Sequence, residues 1–244
     1  MTMELPACPS PDVLLARLAH IQGVDPVGEI ERTNGGLSPI HAGEPSREEF
    51  LSRLAGQVGM QRHDLFLVAG LALPDDALHF DEAASRALPK LVQRALTLPA
   101  SSRRRLRDYA RSLADVPHIA PPGKMRSFEQ YPPGFGSIFV RMLALRNLGW
   151  SSAAKVMYLM SDVYLSAATI GAIGRGVKEL DPDLLDGFAA VLGVPVTVLA
   201  SLAGMPQISA SRRHPEEVID TAALLWDVRH LGAEQVRQVS HLAD

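Results

Sequence analysis

Cysteine is nearly absent: Cys8 is the one thiol in a chain of 244 residues. A lone thiol makes neither an internal disulfide nor a thiolate cage for a metal. Lysine is scarce as well, four residues against twenty arginines, a bias that suggests a GC-rich bacterial genome. No apolar run approaches the roughly 20 residues needed to span a bilayer. The opening Met1-Thr-Met-Glu-Leu-Pro6 carries no basic region followed by an apolar one, so no signal peptide and a cytoplasmic location are expected. Period-two runs of β-branched residues bounded by turn pairs are missing, which argues against strands. A Gly-x-x-x-x-Gly-Lys loop is missing too. Gly171-Ala-Ile-Gly-Arg-Gly176 is rich in glycine but follows no strand, so it fails as a dinucleotide loop. The eight histidines (20, 41, 63, 79, 118, 214, 230 and 241) lack metal-ligand spacing. Nothing marks a nucleophile elbow. The expectation is a protein that is not an enzyme and holds no cofactor and no metal.

What is present is an ordinary globular composition, 47% apolar and 21% charged. The length suits one large domain or two small ones. The formal net charge of −3 hides an asymmetry. Residues 1–118 carry net −2, residues 119–178 net +5 and residues 179–244 net −6. The basic middle comprises Lys124, Arg126, Arg141, Arg146, Lys155, Arg175 and Lys178 against Glu129 and Asp162. A basic stripe bears on phosphate binding more than the whole-chain charge does, although a solvated face would look the same.

Helical periodicity runs throughout. Val13, Leu14, Arg17, Leu18 and Ile21 make one stripe; Phe50, Leu51, Leu54, Ala55 and Val58 another; Leu184, Leu185, Phe188, Ala189 and Leu192 a third. Ser46, Ser101, Ser151, Ser166 and Asp181 suit helix N-caps. Pro26, Pro182 and Pro195 suit first helical positions, where no N–H is missed. The pattern predicts an all-α fold of about ten to twelve short helices. Residues 117–134 hold five prolines and two glycines and read as a linker. Residues 206–215 read as a second hinge.

The two sides of the linker are alike. At an offset of 134, Leu51, Ala55, Gly59, Leu65, Ala69 and Gly70 fall on Leu185, Ala189, Gly193, Leu199, Ala203 and Gly204. The shared unit is helix, glycine break, helix. Upstream, Gly23 meets Gly149 at an offset of only 126. The first copy therefore lacks about eight residues, at Asn34-Gly-Gly-Leu-Ser-Pro39, where the second has a further helix.

Within the second copy, Phe135–Leu148 and Ser151–Met160 are expected to be helices. A turn, Ser161-Asp-Val-Tyr-Leu165, follows. Ser166 then caps a short helix, Ala167-Ala-Thr-Ile-Gly-Ala-Ile173, with Ile170 and Ile173 inward, ended by Gly174-Arg-Gly176. This stretch resembles the Cro/repressor-type (XRE) helix-turn-helix family. The resemblance rests on Leu165-Ser166-x-x-Thr169-Ile170-x-x-Ile173-x-Arg175-Gly176, on Pro182-x-Leu184-Leu185 and on Ala190-x-Leu192-Gly193-Val194-Pro195. It covers residues 136–206. Between Gly149 and Ser166 the chain is about four residues longer than the family pattern, through a longer helix or a wider turn. Tyr164 stands where the family has glycine.

The resemblance implies a sequence-specific, DNA-binding transcriptional regulator of a bacterium, nucleoid-associated, with double-stranded DNA as partner and the short helix in the major groove. The implied readers are Ser166, Ala167, Ala168, Thr169 and Ala172. Arg175 and Lys178 are implied at phosphates, with Ser151 and Lys155 added from the preceding helix. Alanine and glycine make no bidentate contacts to bases, so shape and thymine-methyl contacts are expected to dominate readout.

The expected domains are a degenerate helix-turn-helix-like domain at 1–74, a helical hairpin at 75–116, the linker at 117–134, an XRE-type domain at 135–207 and a C-terminal helix pair at 208–244. In the hairpin, the run Ser101 to Arg107 with Arg111 reads either as phosphate contacts or as a solvated helix paired with Asp108 and Asp115. In the C-terminal pair, Ile219, Ala222, Leu225 and Trp226 form an apolar face expected to pair two chains as a homodimer, or to pack on its own chain. No membrane partner is expected. The alternative function is a protein-interaction module, or a ligand-responsive regulator, that reuses the scaffold without reading DNA.

Overall fold

The structure is a computed structural model and describes residues 9–21, 47–74, 77, 80–114, 131–205 and 214–243. The Asn34–Pro39 segment, Ser46 and Pro26, linker residues 117–130 with Lys124, Arg126 and Glu129, and hinge residues 206–213 lie outside the described residues. Twelve helices and no strand are found among those described, so the fold is all-α. They are α1 (Pro11–Ile21), α2 (Arg47–Val58), α3 (Arg62–Val68), α4 (Glu82–Thr97), α5 (Ala100–Ala114), α6 (Phe135–Leu145), α7 (Trp150–Ser161), α8 (Ala167–Gly174), α9 (Pro182–Leu192), α10 (Val196–Leu202), α11 (Glu216–Asp227) and α12 (Ala233–Leu242). None is long and apolar enough to cross a membrane.

Several boundaries follow from side chains that satisfy the free N–H groups of a first turn. Ser166 Oγ accepts from Thr169 N, and Asp181 Oδ1 from Leu184 N. Pro182 opens α9. Two expected caps are displaced by one or more residues. Gly149 caps α7, so Ser151 sits inside the first turn, and α5 begins before Ser101. Pro195 is the cap residue of α10 rather than its first residue. Asp81 is a cap without a forecast. Its Oδ1 accepts from Ala83 N and Ala84 N, its backbone N donates to Asn147 Oδ1, and its Oδ2 accepts from Ala233 N. The carboxylate thus ties the starts of α4 and α12, and the backbone N–H of the same residue reaches Asn147 just past α6.

The buried apolar side chains form one continuous cluster that draws on all twelve helices, from Leu14 in α1 to Val239 in α12. Helices α6 to α10 pack around Phe139, Met142, Met157, Ile170, Ile173 and Phe188. The α4–α5 hairpin lies against α11 and α12, and α4 also reaches α7. Tyr131, at the end of the expected linker, is buried and stacks on Trp150 at 6.5 Å. That end of the segment belongs to the core.

The face expected to join two chains is covered by its own chain. Ala222 and Leu225 are buried, and α11 packs on α4, α5 and α9. Trp226 is half-buried, with His63 at 6.0 Å and the Arg146 and Arg229 guanidiniums over its ring at 5.1 and 4.0 Å. Only Ile219 of the four stands out, 57% exposed. At Ala222 and Leu225 the apolar stripe is an internal packing face, the alternative of packing on its own chain, and these two residues are not open to a second chain.

The arginine run of α5 has a similar outcome. Arg103 pairs with Asp220 at 2.8 Å, and Arg107 and Arg111 with Asp227 at 2.7 and 3.1 Å. These three cations are matched by acids of α11, and Arg111 is also 3.7 Å from Asp108; Asp115 lies outside the described residues. Those three arginines join helices, while Arg104 and Arg105 of the run are exposed.

Candidate nucleic-acid interface

Helix α8 is held by an inward stripe and a glycine seam. Ile170 and Ile173 are fully buried. Gly136 of α6 lies so close that a Cβ there would sit 2.0 Å from Ile173 O. A Cβ on Gly174 would fall 2.3 Å from the Tyr131 ring, and one on Gly171 3.0 Å from Trp150. Glycine at these three positions lets a short helix dock on aromatic rings and on the backbone of α6. The opposite stripe, Ala168, Ala172 and Arg175, follows i, i+4, i+7 spacing and therefore points away from the core. Ala168 and Arg175 are exposed; Ala167, Thr169 and Ala172 are half-buried.

The extra length lies in α7 and its connection to α8. Helix α7 runs to Ser161 and is closed by Asp162 in the left-handed region at φ 60°. Asn and Asp tolerate this conformation better than most residues. Residues 163–165 then lead to the Ser166 cap. Five residues, 162–166, thus separate the 12-residue α7 from α8. Tyr164, in that turn, is 87% exposed and meets Tyr158 of α7 edge-on at 6.1 Å.

The predicted site residues come together in two groups. Ser166 and Thr169 join at the start of α8, with hydroxyls 2.9 Å apart. They line an open groove of about 1280 Å³ with Lys178, Asp162, Asp181, Asp183, Asp186 and His214. Lys178 is 3.3 Å from Asp181, so its charge is already met in part. This side of α8 is acidic. On the other side, Ser151 and Ala167 line a common recess of about 390 Å³ with Trp150 and Arg86. The Arg175 guanidinium lies 6.0 Å over the Trp150 ring, which brings it beside the start of α7. Lys155 is exposed on α7. The cationic and small-residue surface therefore follows α7 and the outer stripe of α8.

The basic middle segment is only partly surface. Arg146 is fully buried. Its Nη1 and Nη2 donate to both oxygens of Asp64 at 2.9 and 2.8 Å, and to Met142 O and Leu192 O. It has no part in any outer face. Arg141 is half-buried. Lys155, Arg175 and Lys178 remain as the outward cations of that segment among the described residues. Trp150 and Tyr131 are the residues that sequence reasoning missed. The two glycines against their rings, Gly171 and Gly174, were the available signal.

Among the described residues no group of three or more His, Cys, Asp or Glu side chains is arranged to hold a metal ion. Compared with protein-family models, curated proteins and solved structures, the chain matches none of them.

Proposed function

We propose that the chain is a sequence-specific double-stranded DNA-binding regulator of transcription, cytoplasmic and nucleoid-associated, with α8 entering the major groove. The observation that carries the reading is the outer stripe of α8. A short helix, capped by Ser166 and locked from behind by Ile170 and Ile173, exposes small side chains and Arg175 next to Ser151 and Lys155 of α7. Small side chains let the helix backbone approach the groove floor, where thymine methyls and groove shape are read. Cations at its end and on α7 suit phosphates, which position without specifying. The acidic groove beyond Lys178 turns the duplex toward the α7 side. Ser166 and Thr169 bond to each other at the leading end, and their hydroxyls are free to bond bases as well.

The test is titration of genomic duplex fragments at several salt concentrations. Affinity is expected to fall by orders of magnitude between about 50 and 200 mM salt. Arg175→Ala is expected to weaken specific and non-specific duplexes alike and to lower the salt slope by about one. Absence of binding at low salt contradicts the reading. A second reading, a protein-interaction module on the same scaffold, is favoured by one observation. Tyr164, Val177 and Tyr158, 87%, 72% and 51% exposed, flank α8. If this reading holds, Tyr164→Ala abolishes capture of a protein partner while Arg175→Ala changes nothing.

A further inference from the structure

The repeat read from the sequence reappears in the backbone bond by bond. Met60 N donates to Ala55 O, and Val194 N to Ala189 O. Ala69 N donates to Leu65 O, and Ala203 N to Leu199 O. Gly70 N to Leu67 O is matched by Gly204 N to Ser201 O, and Leu71 N to Phe66 O by Met205 N to Ala200 O. Every pair keeps the offset of 134. The glycines that close the matched helices share left-handed conformations, φ 70° and 67° at Gly59 and Gly193, φ 65° and 73° at Gly70 and Gly204. Helices α2 and α3 are thus the counterparts of α9 and α10. Helix α1 precedes the first pair as α6 precedes the second, and both have 11 residues.

The copies are packed reciprocally. Helix α1 lies on α10, the last helix of the other copy, and α6 lies on α3. An arginine crosses in each direction, from within α1 and from the residue that ends α6. Arg17 Nη1 donates to Leu202 O at 2.9 Å, and Arg146 grips Asp64 of α3. Element one on element five of the partner, and the converse, is the pattern of a twofold pair, in which the same patch serves both members. Here both members lie in one chain, so that patch is occupied from within. The copies differ in the length of chain between the first helix and the matched pair. Residues 22–46 stand where the second copy has the longer segment 146–181, which carries α7 and α8.

We infer that the chain is an internal pair of like halves, and that through α8 it engages a single DNA half-site as a monomer. The half-site part rests on the function proposed above; the internal pair does not. A site selected from random duplexes is then expected to lack an inverted repeat, because the surface that would pair two chains is occupied within one, and α8 is the reading helix among the described residues.

Sedimentation equilibrium on the full chain tests the pair without DNA. The mass is expected to stay at 26.3 kDa from about 1 to 100 μM, with a thermal midpoint independent of concentration. A mass of two chains, with a midpoint that rises with concentration, overturns it. Asp64→Asn, which keeps the shape of the side chain, is expected to speed amide exchange in α6, in the opposite copy. Unchanged exchange there overturns the packing argument. On duplex DNA, one chain per selected site is expected. Two chains per site overturn the half-site inference while leaving the DNA reading intact; a correct mass with no DNA binding removes that reading and leaves the internal pair.

Discussion

Arg146 is among the largest fully buried side chains described, and its charge is met inside by Asp64. The Trp226 ring closes the pocket at 5.1 Å. Taking one partner from a buried ion pair leaves the other charge desolvated, at a cost of about 3–5 kcal/mol, whereas an apolar pair of similar volume is often tolerated. Arg146→Met is therefore expected to lower stability by about that amount, and Arg146→Met with Asp64→Leu to recover most of it; urea denaturation measures both. In sequence, Arg146 counts as one more cation of a basic segment. Nothing local distinguishes it from Arg141, because its partner lies 82 positions away. Ser166 was legible, since a serine before a periodic apolar run signals a cap through its own backbone. Ser166→Ala is expected to cost about 1 kcal/mol and to fray α8 first, seen as faster amide exchange at Thr169 and Ile170. A general loss across the helices would instead make Ser166 a packing residue.

Helices were legible where periodicity and caps agreed, as in α8 and α9. They blurred where a turn drew its partners from afar. Asp81 caps α4 and binds α12 and Asn147, contacts that no local pattern announces. The apolar stripe of α11 was visible, but periodicity says only that a face is covered, not by what. Its acids, Asp220 and Asp227, meet the arginines of α5. Two unmatched charge runs on the page were one interface in space. The α6–α8 seam is the element most sensitive to added volume, because a Cβ on Gly136 meets backbone rather than a movable side chain. Gly136→Ala is expected to lower stability by about 1–3 kcal/mol and to weaken DNA binding by displacing α8. Unchanged stability in thermal denaturation would mean that the two helices separate without cost.

At the scale of the molecule, the repeat, the all-α class and the short capped helix were all legible, because each is written in local spacing. How the two copies face each other was not, since reciprocal packing depends on contacts between Arg17 and Leu202 and between Arg146 and Asp64. The same assembly leaves α8 as the outward element of the second copy, and the central claim is that this helix meets duplex DNA. Ala168 is the best place to ask. It is exposed on the outer stripe, so Ala168→Asp adds a charge without disturbing the core. Duplex titration of Ala168→Asp beside the unaltered chain, with thermal denaturation as the control for folding, is the most direct measurement. The account predicts an unchanged melting transition and an affinity more than about tenfold weaker, since a carboxylate in the groove faces the acceptors and phosphates of the duplex. Equal affinity from an equally stable protein would contradict it.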